Sequence, residues 1–405
     1  MKKIVIVGAG DGGTLTANEL RKMLGKEFKK GSVSITVIDK KEMHEFQPAS
    51  LYVAFKGHDP NKYKRPQETL FRKGIKWIRE FATKIDLDNR TVVTESGKTF
   101  DYDYLVIATG SVADNSLIPG LDSKNLDYHS GLDNAAKIWP VVSTIKKDTL
   151  IFGMTDPTYK CPPSPMEGAL LADELLRKKK IRDNVSIKFI TPLPRVYPIE
   201  SIDEIVSPIF EERNIEVIPF FNVDHIDREK NIIYSMEGDE LAFDHTFLVP
   251  PHRGPDVIIN SGIDNDDGWV KVDKHRLNME KYKEVYAVGD VADLPTAKTG
   301  VTAHLEALIA SKNIVCDLRG CSDHWECRFT GRTNCPFELG FGKATFVQTT
   351  YDKPAKKLKP TRIRYWMKKM FIKTFWMSLK GTFDFVFSIY FGEDEKHCID
   401  KRNQK

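Results

Sequence analysis

The 405-residue chain lacks two features that would place it across or beyond a membrane. It has no run of 18 apolar residues; the longest near-apolar stretch, 383–391, contains Asp384 and Ser388, which excludes a spanning helix. No basic region precedes an apolar segment at the amino terminus, so the sequence predicts no signal peptide and a protein made and kept in the cytoplasm. A composition of 41% hydrophobic and 29% charged residues is typical of a globular protein, and the length fits two or three domains.

Glycine is concentrated in one early turn. A short apolar run over 4–7 is followed by glycines in G-x-G-x-x-G order and by a helix-compatible segment, a pattern typical of dinucleotide binding. The predicted phosphate-binding glycines are Gly8, Gly10, Gly12 and Gly13. A second strand ends at Asp39, the expected ribose ligand, with Lys40 beside it, and an insertion over 25–31 explains the long spacing. An ordinary α/β turn with a solvated Asp39 is the alternative.

A second α/β unit opens at 148–153 without such a turn. Of the glycines in the G-x-G-x-x-G pattern, only the first has a counterpart here, Gly153, and the side chains over 154–163 would crowd a pyrophosphate. The topology of a second dinucleotide domain is therefore predicted without its binding loop, and Cys161 lies in that loop. Alternating segments over 75–78, 83–86, 91–94 and 104–108 predict a β-meander inserted in the first unit.

Two further turns predict cofactor contacts. Gln47 and Pro48 form a polar-aromatic turn that can face a cofactor ring, although Pro48 can equally just shape a loop. A buried strand over 285–288 ends in Gly289 and Asp290, whose carboxylate suits a polyol. The loop that follows places Lys298, Thr299 and Gly300 before a helix, where the helix N-terminus and the lysine favour negative charge. A solvated Lys298 is the alternative.

Cysteines are few, at positions 161, 316, 321, 327, 335 and 398. In a cytoplasmic chain such thiols are expected to be reactive or metal-binding, but the high Lys and Glu content also fits a thermophile with intracellular disulfides. The spacings of Cys316, Cys321 and Cys327 match no zinc pattern. A structural disulfide is favoured there, and no metal site is predicted.

Acidic residues are absent from 353–380, which holds ten Lys or Arg and so carries +10 against −6 for the remainder. From Ile363, apolar residues recur on one helical face and basic residues on the other. The apolar set is Trp366, Met367, Met370, Phe371 and Phe375, and the basic set is Arg364, Lys368, Lys369 and Lys373. Phe383, Phe385, Phe387, Ile389 and Tyr390 follow. The pattern predicts attachment to an anionic membrane surface. A dimer contact, or packing on the protein's own core, is the alternative.

Three ordered motifs resemble the flavoprotein disulfide reductase superfamily: the glycine turn, Ala108-Thr109-Gly110, and the strand ending in Gly289-Asp290. Within it, Phe46-Gln47-Pro48, Cys161 with Glu167, Lys298-Thr299-Gly300, and Cys335 followed by a Phe-Glu-Leu-Gly-Phe-Gly run resemble sulfide:quinone oxidoreductase. The resemblance implies an α/β fold with two tandem Rossmann-like domains around FAD. The expected FAD domain spans 1–112 and 265–345, the second domain 113–264, and the C-terminal membrane-interface region 346–405.

The resemblance also implies a chemistry. Cys161 and Cys335 match a redox pair that takes sulfur from hydrogen sulfide as a persulfide and passes two electrons to the flavin, and then to a membrane quinone. Glu167 would manage protons, although it can be merely a first-turn helix carboxylate, and Lys298 would stabilise the reduced flavin. Phe341 and Phe337 are the candidate quinone contacts. No cysteine lies near 128–130, where some members tether the flavin, so FAD is expected to bind non-covalently. His129, in that loop, is either a candidate base or a residue without a catalytic role.

The expected protein is a peripheral enzyme on the cytoplasmic membrane that oxidises sulfide to polysulfide or sulfur. It can form a homo-oligomer, and no nucleic-acid partner is predicted. The resemblance separates this enzyme from flavocytochrome c sulfide dehydrogenase only through the carboxyl-terminal tail. Two other functions stay open: a type II NADH:quinone oxidoreductase, disfavoured by the glycine-poor loop, and a flavin-bearing sulfur carrier or sensor without turnover.

Overall fold

The computed structural model describes residues 1–121, 124–265, 267–321, 325–382 and 398–400. The helices are α1 (Asp11–Met23), α2 (Gly25–Lys29), α3 (Ser50–Lys56), α4 (Leu132–Ala136), α5 (Ile138–Val142), α6 (Ser164–Lys178), α7 (Glu200–Glu212), α8 (Asp256–Ile259), α9 (Gly300–Leu318) and α10 (Arg362–Leu379). Short 3-10 helices lie at Gln47–Ala49, Pro60–Tyr63, Gln67–Leu70, Asn115–Leu117 and Arg182–Asn184.

The strands are short and numerous. In chain order they are β1 (Lys2–Val7), β2 (Val33–Ile38), β3 (Met43–Glu45), β4 (Lys64–Pro66), β5 (Lys76–Ile78), β6 (Ala82–Asp86), β7 (Thr91–Thr94), β8 (Thr99–Asp101), β9 (Tyr104–Ile107), β10 (Val112–Ala113), β11 (Thr149–Met154), β12 (Ser186–Ile190), β13 (Ile215–Ile218), β14 (Val223–Asp227), β15 (Ile232–Ser235), β16 (Glu240–Ala242), β17 (His245–Val249), β18 (His252–Arg253), β19 (Val270–Lys271), β20 (Val285–Ala287), β21 (Ala292–Asp293), β22 (Trp325–Cys327), β23 (Thr333–Glu338), β24 (Ala344–Thr349) and β25 (Cys398–Asp400).

The first large parallel sheet has five strands in the order β20-β9-β1-β2-β5. Val5 of β1 lies opposite Thr36 and Leu105 in register. The inner strands β1, β9 and β20 carry continuous apolar runs over 4–7, 104–107 and 285–287, as expected for parallel strands covered on both faces. Helices α1 and α9 pack against each other, and their N-termini meet at the edge where β1, β9 and β20 end.

A second parallel sheet has the order β13-β12-β11-β17. Helix α6 packs on β11, and Phe152 of β11 stacks on Phe247 of β17 with ring centroids 4.5 Å apart. The predicted α/β class is therefore confirmed.

The predicted meander is wrong in part. Strands β6, β7 and β8 form an antiparallel sheet of three, but the segments at 76–78 and 104–107 are β5 and β9 of the first parallel sheet. Local alternation of side chains predicts a strand but does not say which sheet the strand joins, because the partners of β5 and β9 are distant in sequence.

The tail helix α10 packs against the β23–β24 hairpin and against α1. Phe371, Phe375 and Leu379 are buried in the main core, whereas Ile363 and Trp366 are exposed. No helix in the described ranges is long and apolar enough to cross a membrane. The aromatic segment over 383–390, predicted to follow this helix at a membrane, lies outside the described residues.

Two disulfides lie near the end of the chain, Cys316–Cys321 and Cys327–Cys398. The second joins β22 to β25, which pair antiparallel. Cys161 and Cys335 are free. The structural disulfide predicted among Cys316, Cys321 and Cys327 is confirmed, with Cys398 as a partner that the sequence left unassigned.

Candidate active site

The glycine turn between β1 and α1 is built for a close approach of backbone and ligand. Gly8 has φ +100°, and a Cβ there would lie 2.3 Å from the carbonyl oxygen of Ala108. A Cβ on Gly13 would lie 2.0 Å from the carbonyl oxygen of Gly8, whereas one on Gly10 would meet open space. Gly10 also begins α1 without a side-chain cap, so the first amides of the helix are left for a ligand. This cradle fits the pyrophosphate of a dinucleotide.

Buried polar atoms without a partner surround the same sheet edge. The hydroxyls of Thr109 and Ser50 have none in the described part of the chain. Native proteins seldom leave buried polar groups unsatisfied, so these atoms indicate a ligand. Asp39 accepts from the Ala9 amide at 2.6 Å, which fixes its carboxylate beside the turn. Lys40 instead pairs with Glu95 at 3.0 Å, and this contact holds it at the surface.

A cavity opens from this edge toward the second sheet and α10. Nine residues predicted from the sequence line it: Gln47, Pro48, Cys161, Glu167, Asp290, Lys298, Thr299, Gly300 and Cys335. Asp11, in the glycine turn, also lines it, so the cradle and the cavity are continuous. The structure thus brings the predicted redox, acid–base and cofactor residues together in one place.

The thiols of Cys161 and Cys335 meet in this cavity from different elements. Cys161 has φ +56°, in the left-handed region, and its amide donates to the carbonyl of Lys298 at 2.8 Å. Cys335 lies buried in β23. A hydrogen bond with Cys161, together with burial, raises the pKa of Cys335, and the charge of Lys368 opposes that rise. Two hydrogen-bonded thiols are suited to reversible disulfide chemistry.

Glu167 stands in the first turn of α6, beside the thiols. Its Oε1 accepts from the Glu338 amide at 2.5 Å and from Lys368 Nζ at 2.6 Å. Burial raises the pKa of Glu167 despite the attraction of Lys368. Burial would lower the pKa of Lys368, but Glu167 and Glu338 outweigh it and the pKa is raised. The cavity therefore holds a buried cation paired with a carboxyl group whose pKa is raised.

The loop before α9 brings a second cation to the cavity. Lys298 Nζ donates to the carbonyl of Asp290 at 2.6 Å and lies 3.9 Å from the centroid of the Trp269 ring. Burial lowers the pKa of Lys298. Thr299 caps α9 through its hydroxyl, and Asp290 accepts from Ser111 at 2.9 Å. This lysine is held in place and is not a mobile surface residue.

Two buried histidines lie close together here, and His129 is part of the cavity lining. Neither ring nitrogen of His129 has a hydrogen-bond partner among the described residues, and His252 Nε2 has none either. Their ring centroids are 6.3 Å apart. Burial lowers the pKa of His129, and burial with the nearby Lys160 lowers the pKa of His252 to about 4. Both imidazoles are therefore neutral at pH 7.

Comparison with known proteins fits this geometry. A family model described as pyridine nucleotide-disulphide oxidoreductase matches residues 2–146. The mitochondrial sulfide:quinone oxidoreductase of Dictyostelium discoideum is 28% identical over 86% of this chain and 78% of its own length. The sulfide-quinone reductase of Aquifex aeolicus is also 28% identical, over 81% of this chain and 80% of its own. The crystal structure of the Aquifex enzyme superposes with a TM-score of 0.83 at 26% identity, covering 97% of this chain and 96% of that one.

The chain is similar to sulfide:quinone oxidoreductases. The similarity runs over most of its length and confirms the resemblance inferred from its motifs.

Some predicted residues lie away from the cavity. The glycines at 8, 10, 12 and 13, Asp39, Ala108, Thr109, Gly110 and Gly289 stand at the sheet edge beyond its lining. Phe337 is buried against Tyr197, with ring centroids 5.9 Å apart. Phe341 lies at the tip of the β23–β24 hairpin, 41% exposed and covered by the Arg213 guanidinium. Neither phenylalanine lines the cavity. The motif that contains them therefore identifies the β23–β24 hairpin but does not identify residues that contact a quinone ring.

Sequence reasoning missed the contribution of α10. Lys368, Phe371, Ile372 and Phe375 all line the cavity. The charge pattern assigns Lys368 to a basic, membrane-facing side, but only 6% of its side chain is exposed. The sequence did contain a signal in the spacing of Lys368. It precedes Phe371 by three residues and Phe375 by seven, so all three share one face of the helix. A lysine on a buried face needs a buried carboxylate as its partner.

Proposed function

We propose that the protein oxidises hydrogen sulfide through Cys161 and Cys335 and passes the electrons, by way of FAD, to a quinone. The observation that carries the proposal is the cavity shared by the two free thiols, the Glu167–Lys368 pair and the continuous path to the glycine cradle. The similarity to named sulfide:quinone oxidoreductases favours this function over the two alternatives.

FAD would be held by the sheet edge. The glycine turn and the N-terminus of α1 would take the pyrophosphate, Asp39 the ribose, and Asp290 the ribityl chain. Gln47, Pro48 and Lys298 would contact the ring. Within the described lining the only cysteines are Cys161 and Cys335, which supports non-covalent binding. Bound FAD supplies a two-electron acceptor next to the thiols.

The thiol chemistry follows from the placement of the two sulfurs. Hydrosulfide attacks the disulfide form of the pair; a new S–S bond forms to the incoming sulfur, and the Cys161–Cys335 bond breaks. The products are a persulfide on one cysteine and a thiolate on the other. Cys161 is the more exposed of the two and is the attacked sulfur. Cys335 is then the leaving thiolate, and the charge of Lys368 opposes the rise in its pKa that Cys161 and burial cause. Each further sulfide that lengthens the chain to polysulfide gives up two electrons, for which bound FAD would be the acceptor.

The quinone would occupy the α10 side of the cavity. Phe46, Phe371 and Phe375 form an aromatic wall there, with the rings of Phe46 and Phe375 4.4 Å apart. Lys368 lies on the same helical face and can donate a proton to a quinone oxygen. Phe371 and Phe375 therefore replace Phe337 and Phe341 as the candidate quinone contacts.

The two parallel sheets support a description as tandem Rossmann-like units. Strand β20 returns to the first sheet after the second is complete, which agrees with an FAD domain over 1–112 and 265–345. The second sheet agrees with a domain over 113–264. A Cβ on Gly153 would meet the Ile190 carbonyl oxygen at 2.0 Å, so that glycine serves strand packing, and no dinucleotide is assigned to its loop.

Attachment to a membrane surface would use the outer face of α10. Ile363, Trp366, Met370 and Met377 are 74%, 66%, 43% and 39% exposed, and Lys373 stands beside them. Such a face, in a segment of net charge +10, suits an anionic interface. We propose a peripheral protein of the cytoplasmic membrane whose helix buries one side in the core and presents the other to lipid.

The test is anaerobic reduction of the purified holoprotein by sulfide, followed by mixing with a short-chain quinone. The expected result is loss of the oxidised flavin absorbance with sulfide and its return with quinone. Cys335→Ser should slow the reduction about 1,000-fold, because no disulfide can form. Cys316→Ser, which removes a thiol of the separate Cys316–Cys321 disulfide, is the matched control and should react like the wild type.

Two outcomes would contradict the proposal. Reduction by NADH but not by sulfide would indicate an NADH:quinone oxidoreductase. Reduction by sulfide with no recovery on adding quinone would indicate a sulfur carrier without turnover.

A further inference from the structure

A chain of charged side chains leads outward from Lys368. Glu338, at the end of β23, accepts from Lys56 Nζ at 2.7 Å through Oε1 and from the Tyr52 hydroxyl at 2.6 Å through Oε2. The same Oε2 lies 3.6 Å from Lys368 Nζ, which in turn donates to Glu167 at 2.6 Å. Four elements meet here: α3, the end of β23, α6 and α10.

The two ends of this chain differ in exposure. The Lys56 side chain is 23% exposed, whereas those of Glu338 and Lys368 are only 1% and 6% exposed. At the inner end, Lys368 and Glu167 line the cavity, and Lys56 does not. The chain therefore connects solvent with the cavity through one buried carboxylate.

We propose that Lys56 and Glu338 carry protons from solvent to Lys368 and so replace those consumed when a quinone is reduced in the cavity. The inference rests on the proposed function. Reduction to quinol takes two electrons, which sulfide supplies through FAD, and two protons. For each proton, Lys368 gives one from its ammonium group to a quinone oxygen and becomes a neutral amine. Lys56 then passes a proton to Glu338 as Glu338 passes one to Lys368, and Lys56 takes a proton from water.

The charges explain how a carboxylate so strongly paired can take part. Although burial opposes it, the attraction of Lys368 and then of Lys56 lowers the pKa of Glu338 to about 2. Once Lys368 is neutral, the larger of these attractions is lost and the pKa of Glu338 rises. Glu338 is thus a better proton acceptor once Lys368 has lost its charge. The other charged neighbours are Glu167, on the cavity side, and Lys369, 3.9 Å from the centroid of the Tyr52 ring.

The experiment separates proton supply from charge. Holoprotein reduced by sulfide is mixed with a short-chain quinone in a stopped-flow instrument, in H2O and in D2O. Lys56→Met and Lys56→Arg should both slow flavin reoxidation about tenfold or more, without changing the rate of reduction by sulfide. Arginine keeps the positive charge but does not release a proton. Added methylamine should restore the Lys56→Met rate. Lys62→Met, at an exposed lysine on the same surface, is the control.

A second readout does not involve turnover. In acid unfolding of these variants, Lys56→Met should move the midpoint to higher pH, because Glu338 loses a cation, and Lys56→Arg should leave it in place. That pattern shows that the arginine substitution preserves the charge arrangement and the fold.

The outcomes are distinct. Reoxidation of Lys56→Arg at the wild-type rate would mean that Lys56 acts by charge alone and would overturn the proton path. A normal rate in Lys56→Met would do the same. Failure of sulfide to reduce the wild-type flavin would instead remove the proposed function.

Discussion

Glu306 shows how one buried side chain can tie stability to pH. It lies in α9, is 1% exposed, and accepts from the Gly289 amide at 2.6 Å. Burial raises its pKa to about 8, although that hydrogen bond and Lys298 oppose the rise. The carboxyl is therefore protonated in the fold at pH 7 and ionised in the unfolded chain.

The sign of the effect follows from linkage. The contribution of Glu306 to stability is fully present below the ordinary glutamate pKa near 4.5 and is lost as pH rises toward 8. The free energy of unfolding of the wild type should fall by up to roughly 4 kcal/mol between pH 5 and pH 8, measured by urea unfolding. Glu306→Gln should abolish this fall, because the glutamine side chain stays neutral. Glu280→Gln, at an exposed position, should keep the wild-type slope. An unchanged slope in Glu306→Gln would show that Lys298 keeps Glu306 ionised in the fold.

Residues near the glycine turn could be predicted from sequence because their constraint is local. Gly8 and Gly13 are required by backbone contacts within one turn, and Cys161 was found where that turn fails to recur. Lys368 could not be assigned in the same way, because its partners Glu167 and Glu338 lie on other elements. A periodic pattern shows that a helix has faces but does not say which face meets the core.

Helix α10 is an element with two apolar sides. Phe371, Phe375 and Leu379 pack into the core, and the outer face carries Ile363 and Trp366. The sequence merged both into one stripe because Trp366, Met370, Phe371 and Phe375 fall within a broad arc. Sequence alone leaves attachment to lipid and packing on the core as alternatives. The structure buries one set of side chains in the core and leaves the other exposed, where the proposed lipid contact would lie.

The outer face is expected to bind vesicles. Ile363→Ser with Trp366→Ser should weaken cosedimentation with anionic phospholipid vesicles at least roughly tenfold, because each exposed side chain loses a favourable burial. Trp325→Ser, at a tryptophan that is 41% exposed outside α10, is the matched control. Equal binding of the double variant and the wild type would place the lipid contact elsewhere.

At the scale of the whole molecule, the chain is closed covalently near its end. The Cys327–Cys398 disulfide spans 71 residues and encloses Cys335 and α10, whereas Cys316–Cys321 spans only 5. Closing a longer loop restricts the unfolded chain more. The α/β class and the pairing of motifs at one sheet edge were predictable at this scale, but the disulfide partner of Cys327 was not, since connectivity does not follow from spacing.

The two disulfides should therefore differ in stabilising effect. Cys398→Ser should lower the free energy of unfolding by about 4 kcal/mol and Cys321→Ser by about 2 kcal/mol, from loop entropy alone. Thermal unfolding of each variant, with and without reductant, measures this. Equal losses would mean that native packing around the bonds, and not loop length, sets their effect.

The burial of Lys368 makes the tail inseparable from the chemistry. A chain shortened before Arg362 to obtain a more soluble protein would keep both thiols and the glycine cradle. It would also leave Glu167 without its cation and open the aromatic wall to water. Under the proposed function, such a protein would bind its flavin and still fail as a catalyst. The failure would be ascribed to the lost membrane contact, although its cause would be the lost Lys368 side chain.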